Sequence, residues 1–184
     1  MGKVIGKYTD DMSMVKAAIA EDQNAFEQIV GKYRTLVAKV IVGMLGNRAD
    51  AEDVGQEAFL RFYRSMHQYK GDAALGTYLT RIAINLSLNE LKRRGSRKWL
   101  SLEEKHSSYY ADNRSYHDKD NTELVEKALA QLDVKYRSVV VLRIMQGFST
   151  KETAEMLKLP IGTVLSRLAR AQDKLKQIIR KLEE

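Results

Sequence analysis

Four carboxylates crowd the stretch DAEDVGQE: Asp50, Glu52, Asp53 and Glu57. Such a cluster could hold a divalent cation for phosphodiester hydrolysis. It could equally complement the positive end of a helix that starts there, or form an acidic face that docks a protein. The chain has only three histidines, His67, His106 and His117, and none lies beside the cluster. The next acids, Asp72 and Glu90, show no convergent spacing, which weighs against a nuclease.

A second group follows at once. In RFYRSMHQYKGDAALGTYLTRIAIN, Arg61, Arg64, Lys70 and Arg81 interleave with Phe62, Tyr63, Tyr69 and Tyr78. Cations neutralise phosphate and aromatic rings stack on unpaired bases, so this pairing suits single-stranded nucleic acid. The plainer alternative is that most of these rings are core. Phe59, Phe62 and Tyr63 are assigned to the core, and Tyr69, in a loop, is the ring best placed to meet a base. Arg81, Asn85 and Asn89 make a polar stripe at four-residue spacing.

A third group closes the chain. LPIGTVLSRLARAQ contains the sole proline, Pro160. Between 160 and 181 stand six basic residues (Arg167, Arg170, Lys174, Lys176, Arg180, Lys181) against one acid, Asp173. Pro suits the start of a helix, where its missing N–H costs nothing. Val164, Leu168, Ala171, Leu175, Ile178 and Leu182 recur at helical spacing as an inward stripe. Leu165, Ser166, Ala169, Arg170 and Asp173 lie off it. Upstream, Ser149 or Thr150 can cap a short helix with Glu152 close behind, and Lys158-Leu159 makes the turn. A short helix, a tight turn and a second helix with small and basic outward residues is the layout of a DNA-reading helix-turn-helix. Arg suits guanine, Ser is adaptable, and Ala or Leu can touch a thymine methyl. The alternative is an amphipathic hairpin with a solvated basic face.

The elements that must position these groups read as helices almost throughout. The apolar spacing predicts helices from Met14 to about Ala20, Ala25 to about Leu45, Ala51 to about His67, and Thr77 to about Arg94. Arg93-Arg94-Gly95-Ser96 reads as a helix stop, with basic residues in the last turn and then Gly. A polar, Ser/Asp/Asn-rich stretch over 96–121 reads as a linker. RSVVVLRI, despite its valines, reads as helix, and the rest is helical from Thr122. The expected fold is all-α: two small helical domains, 1–95 and 122–184, joined by that linker, the second a helix-turn-helix.

Composition agrees with an anionic partner. Of a net charge of +7, the first 95 residues carry +3, the linker is neutral and 123–184 carries +4; such a surplus favours nucleic acid first and membrane second. No cysteine is present, so no disulfide or thiolate metal site can form. No apolar run approaches the roughly 20 residues of a bilayer span. The N-terminus lacks the apolar stretch of a secretion signal. The expectation is a soluble cytoplasmic protein without metal or cofactor.

Taken in order, DAEDVGQEAFLRFY, YKGDAALGTYLTRIAINLSLNELKRR and LDVKYRSVVVLRIMQGFSTKETAEMLKLPIGTVLSRLARA resemble the successive regions of bacterial RNA polymerase sigma factors, above all the small two-domain extracytoplasmic-function group. The resemblance spans about Asp22 to Lys181. It implies a subunit that gives polymerase its promoter specificity, not an enzyme. It implies that Asp50, Asp53, Gln56, Glu57 and Phe59 dock core polymerase, on the β′ clamp, while the second domain meets the β flap. It implies that Arg61, Ser65, Tyr69, Lys70, Gly71, Asp72, Arg81 and Asn85 meet the −10 non-template strand, the 69–75 loop capturing a flipped base. Leu165, Ser166, Ala169 and Arg170 would face −35 bases, with Thr163 and Arg167 on phosphates or in support. An anti-sigma factor is a further implied partner. The two promoter elements lie roughly 35–70 Å apart, and a 25-residue linker reaches about 80 Å only when stretched.

The chain departs from the family pattern at five positions. Tyr78 stands where Trp is usual, Leu75 where a larger group is, Asp133 where Pro is frequent, and Leu165 where a basic residue is common. Lys158 stands at a turn that usually holds Gly, so the turn there is expected to differ, because positive φ is disfavoured for a residue with a side chain.

Overall fold

The computed structural model describes residue 8 and residues 10–46, 49–100 and 118–183. Among them the secondary structure is helical, with no strand. The first half holds α1 (Asp11–Ile19), α2 (Gln23–Leu45), α3 (Ala49–Ser65) and α4 (Leu75–Leu100), with a 3-10 turn at Met66–Gln68. The second holds α5 (Asp118–Gln131), α6 (Val134–Val140), a π turn at Val141–Met145, α7 (Thr150–Leu157) and α8 (Ile161–Glu183).

Helices α1 and α2 begin where local chemistry starts them. Asp10 caps α1 with a reciprocal box: its carboxylate accepts from Ser13 N–H, and the Ser13 hydroxyl oxygen accepts from Asp10 N–H. Asp22 caps α2, and Gly46, at φ 79°, ends it. The first-half core then closes around fully buried Ile29, Ile41, Met44, Phe62, Leu75, Leu79 and Ile84, each worth about 1.5–3 kcal/mol of burial. In the second half, Leu129, Leu132, Tyr136, Val140 and Ala171 make one small cluster, and Val139, Ala154 and Val164 another.

Several sequence expectations need correction. Helix α4 does not stop at Gly95 but runs on to Leu100. Glycine costs an exposed helix interior only about 1 kcal/mol, and the ion pairs of Glu90 with Arg93 and Arg94 support the preceding turn. Helix α5 likewise begins before Thr122, at Asp118. The remainder of the expected linker, 101–117, lies outside the described residues. The valine run is helical as read, but it changes pitch: α6 passes into a π turn in which Gln146 N–H donates to the Val141 carbonyl at 3.0 Å.

The two halves touch. Val141, Leu142 and Met156 belong to the same buried cluster as the first-half core, with Phe148 and Leu157 packed against it.

Candidate nucleic-acid and polymerase interface

Helix α3 carries the acidic group on its outer side. Asp53 and Gln56 are exposed, Asp50 and Glu57 half-buried, and Phe59 half-buried against the core. Asp50 is not free: Arg94 Nη2 on α4 lies 2.6 Å from its carboxylate. Asp53 and Glu57, one helical turn apart, remain on the surface. Among the described residues no three potential metal ligands converge, so these carboxylates are spread along a helix instead of gathered on a point.

The next turns of α3, the loop 69–74 and α4 bring the second group together. Arg61 is exposed, and Ser65 donates its hydroxyl to the Arg61 carbonyl at 2.8 Å. The loop is pinned at both ends. Tyr69 packs edge-on to Tyr78, with centroids 5.3 Å apart, and donates its hydroxyl to the Ala73 carbonyl at 2.8 Å. Burial, with the nearby Asp11 and Asp72 carboxylates, raises the Tyr69 pKa, so the phenol stays a donor. Gly71 takes φ 83°, which favours glycine; a Cβ there would come 2.5 Å from Met12 Cε, the free end of a flexible side chain. Lys70 and Asp72 stand exposed beside it. Arg81 and Asn85 follow on α4, half-buried, and Arg81 faces Glu155 of α7 at 3.8 Å.

The rings here form a relay from surface to loop. Tyr63 meets Phe26, Phe26 stacks on Phe62, Phe62 meets Tyr78, and Tyr78 meets Tyr69. Phe62 is wholly buried, as expected. Tyr63 is not: it is 48% exposed, on the edge of a 290 Å³ cleft with Phe26, Glu21, Asp22 and Glu27. Its place one residue after Phe62 turns it about 100° away from the core. Leu75 is fully buried at the start of α4 and so serves the core.

The third group stands on a well-made helix-turn-helix. The Ser149 hydroxyl accepts from Glu152 N–H at 3.2 Å, and the Glu152 carboxylate accepts from Ser149 N–H at 2.8 Å and from its hydroxyl at 2.6 Å. Those bonds hold the Glu152 pKa below its ordinary value. Lys158 then does adopt the left-handed conformation, φ 54° and ψ 49°. The turn keeps the shape that glycine usually supplies, contrary to the expected difference, because Lys158 and Leu159 N–H both find carbonyls of α7. The Pro160 carbonyl accepts from Thr163 and Val164 N–H, opening α8. Val164 and Ala171 are buried, while Leu165, Ser166, Ala169 and Arg170 are exposed and Thr163 and Arg167 half-buried.

One residue was not singled out by its sequence context. Arg137, on α6, is buried, with Nη1 donating to the Met44 carbonyl of α2 at 2.7 Å and Nη2 to the carbonyls of Ala130 (2.7 Å) and Leu132 (3.0 Å). Burial, and then the like charge of Arg94, lowers its pKa.

Comparison with known proteins agrees with this layout. Residues 29–97 match the family Sigma-70 region 2, and residues 122–175 match Sigma-70, region 4. The chain is 30% identical to the RNA polymerase sigma-H factor of Pseudomonas aeruginosa, over 94% of its length and 95% of that protein's. It is 30% identical to the extracytoplasmic-function sigma factor SigW of Bacillus subtilis, over 92% and 98%. The fold is also that of sigma factor RpoE, solved with the anti-sigma factor NepR from Bartonella quintana: TM-score 0.73 and 22% identity over 84% of this chain and 96% of that one. CnrH, solved with the cytosolic domain of CnrY, gives 0.68 and 24% over 94% and 97%. With both regions matched in order, and relatives covered nearly end to end, the chain belongs to the extracytoplasmic-function group of the sigma-70 family.

Proposed function

We propose that this chain, as a sigma factor, uses its two halves for separate tasks. Residues 1–95 dock core polymerase and open the −10 element; residues 122–184 read the −35 duplex. On α3, Asp50, Asp53, Gln56, Glu57 and Phe59 meet the polymerase β′ clamp, and the second half meets the β flap. Arg61, Ser65, Tyr69, Lys70, Gly71, Asp72, Arg81 and Asn85 hold the −10 non-template strand. Extruding a base costs a few kcal/mol, and the braced 69–74 loop offers a fixed wall against which that cost can be offset. On α8, Leu165, Ser166, Ala169 and Arg170 face −35 bases, while Thr163 and Arg167 support them at phosphates.

The observation that carries this reading is the exposed Leu165, Ser166, Ala169 and Arg170 surface on the first turns of α8, held by a capped α7 and the Lys158 turn. The protein supplies specificity to the polymerase and performs no chemistry of its own. It works in the cytoplasm, where promoter DNA is; no described helix is long and apolar enough to cross a membrane. An anti-sigma factor is its regulatory partner, a reading supported by the shared fold of sigma factor RpoE, which is solved with the anti-sigma factor NepR.

Run-off transcription with core polymerase on a randomised promoter library tests this directly. Promoter-dependent transcripts are expected. Tight duplex binding with no association to core polymerase would instead mark a stand-alone helix-turn-helix regulator. Replacing Asp53 and Glu57 by Ala should abolish core association and leave duplex binding intact.

A further inference from the structure

Helix α8 fills its exposed positions differently along its length. Beyond Ala171, every exposed residue among those described is polar or charged. Before it, Ile161, Leu165 and Ala169 are exposed, Ile161 at 50% and Leu165 at 52%. Single exposed apolar residues are ordinary on any surface. These three are not scattered. They recur every four residues, so each is turned only about 40° from the one before, and together they form one strip about 12 Å long.

The strip has a polar neighbour. Ser166 and Arg170, both exposed, stand about 100° round the helix from Leu165 and Ala169. The Ser166 hydroxyl donates to the Thr163 carbonyl at 3.1 Å, so its oxygen faces outward as an acceptor. The buried Val164 and Ala171 lie on the far side. The outward face of α8 therefore carries an apolar flank, an acceptor and a guanidinium side by side.

Duplex DNA offers a match for all three. The apolar group on the base edges of a major groove is the C5-methyl of thymine. Adenine and cytosine present an amine to an acceptor, and guanine presents two acceptors to an arginine. At about 3.4 Å per base pair, a strip of about 12 Å covers between three and four pairs, enough for neighbouring thymines. A protein covering the strip would have to lie among the cations Arg167, Arg170 and Lys174; a phosphate backbone neutralises them.

We infer that this chain selects its −35 element by thymine methyls: Leu165, with Ile161 and Ala169 one turn to either side, packs on the C5-methyls of neighbouring thymines, while Ser166 and Arg170 meet the polar edges beside them. The inference rests on the −35 reading proposed above and names the base that this face prefers.

The promoter is first selected with the full-length chain and core polymerase. Deoxyuridine then replaces each −35 thymine in turn, on either strand, which removes the methyl and leaves the pairing unchanged. Holoenzyme binding to each promoter is measured by competition. At two or more neighbouring positions the replacement should weaken binding about fourfold. At one of them the loss should vanish in Leu165→Ala. That variant should bind the unmodified promoter more weakly with an unchanged salt slope, because no phosphate contact is lost. Leu165→Arg, carried through the selection again, should exchange thymine for guanine at the same position. Residue 165 is exposed, so both variants should keep the helical content of the wild-type chain by circular dichroism. A selected −35 element without thymine, no uridine effect at any position, or a uridine effect that persists in Leu165→Ala overturns the inference and leaves the strip to a protein partner or to solvent. If the wild-type chain gives no promoter-dependent transcript, the functional reading fails and this inference fails with it; specific transcription that ignores uridine overturns this inference alone.

Discussion

Arg170 stands exposed on the third turn of α8, and Arg167, three residues before it, is half-buried. The two should therefore fail differently. Arg170→Ala is expected to weaken binding to the preferred −35 duplex by roughly 1–3 kcal/mol and to relax selectivity at one base pair. Arg167→Ala should weaken binding about evenly across sequences and reduce the salt slope by about 1. Titrations on a −35 duplex and its single-base variants, at several salt concentrations, separate the two; an even loss for Arg170→Ala would reassign it to a phosphate. At this scale the sequence was informative about the turn-forming Gly71 and about the outward placement of Arg170. It misled where placement turns on a single step of the helix. Tyr63 reads as core beside Phe62 but points outward, and nothing local singles out Arg137, because its bond to Met44 joins positions 93 apart. No local pattern reports such a pair.

Among the elements, α7 depends most on its ends, being only eight residues long. Its Ser149–Glu152 box should therefore be measurable: Ser149→Ala is expected to cost about 1 kcal/mol. The glutamate makes the box sensitive to acid. Its folded pKa lies below the ordinary 4.5, so its contribution is fully present above that value and is lost as pH falls through the depressed one. Thermal unfolding of the wild-type chain and Glu152→Gln should therefore differ above pH 4.5 and converge as the pH falls through the depressed pKa. At the other end, Lys158 bears the strain of a left-handed conformation, and Lys158→Gly is expected to raise stability by about 0.5–1 kcal/mol in denaturant titrations. The Ser149–Glu152 cap was visible in the sequence, because a capping box acts over four positions; the left-handed Lys158 was not, because its type argues against positive φ. Nor was the end of α4. A basic pair followed by glycine is how many helices stop, yet nothing in Gly95 forbids continuation.

In the whole molecule, the two halves share one apolar cluster. Met156 shows the coupling: it is carried by α7 but buried against the first half. Met156→Ala is expected to cost about 2–5 kcal/mol, and circular dichroism should register the loss in one common transition instead of in the second half alone. Two steps with only the later half weakened would show that the halves are independent.

The π turn at Val141–Met145 is what lets one short segment serve both sides. Val139 and Val140 face the second half's clusters, while Val141 and Leu142, the next two residues, face the first half's. The wider turn works as a vernier, with one surplus residue setting the angle between everything before it and everything after. Removing a single residue from 141–145 would restore the ordinary pitch and rotate the downstream chain by about 100°. Both helices of the helix-turn-helix would remain intact while their alignment on α2 and α4 was lost. Over evolutionary time, a one-codon deletion there would change how the halves engage without altering any exposed residue of α8.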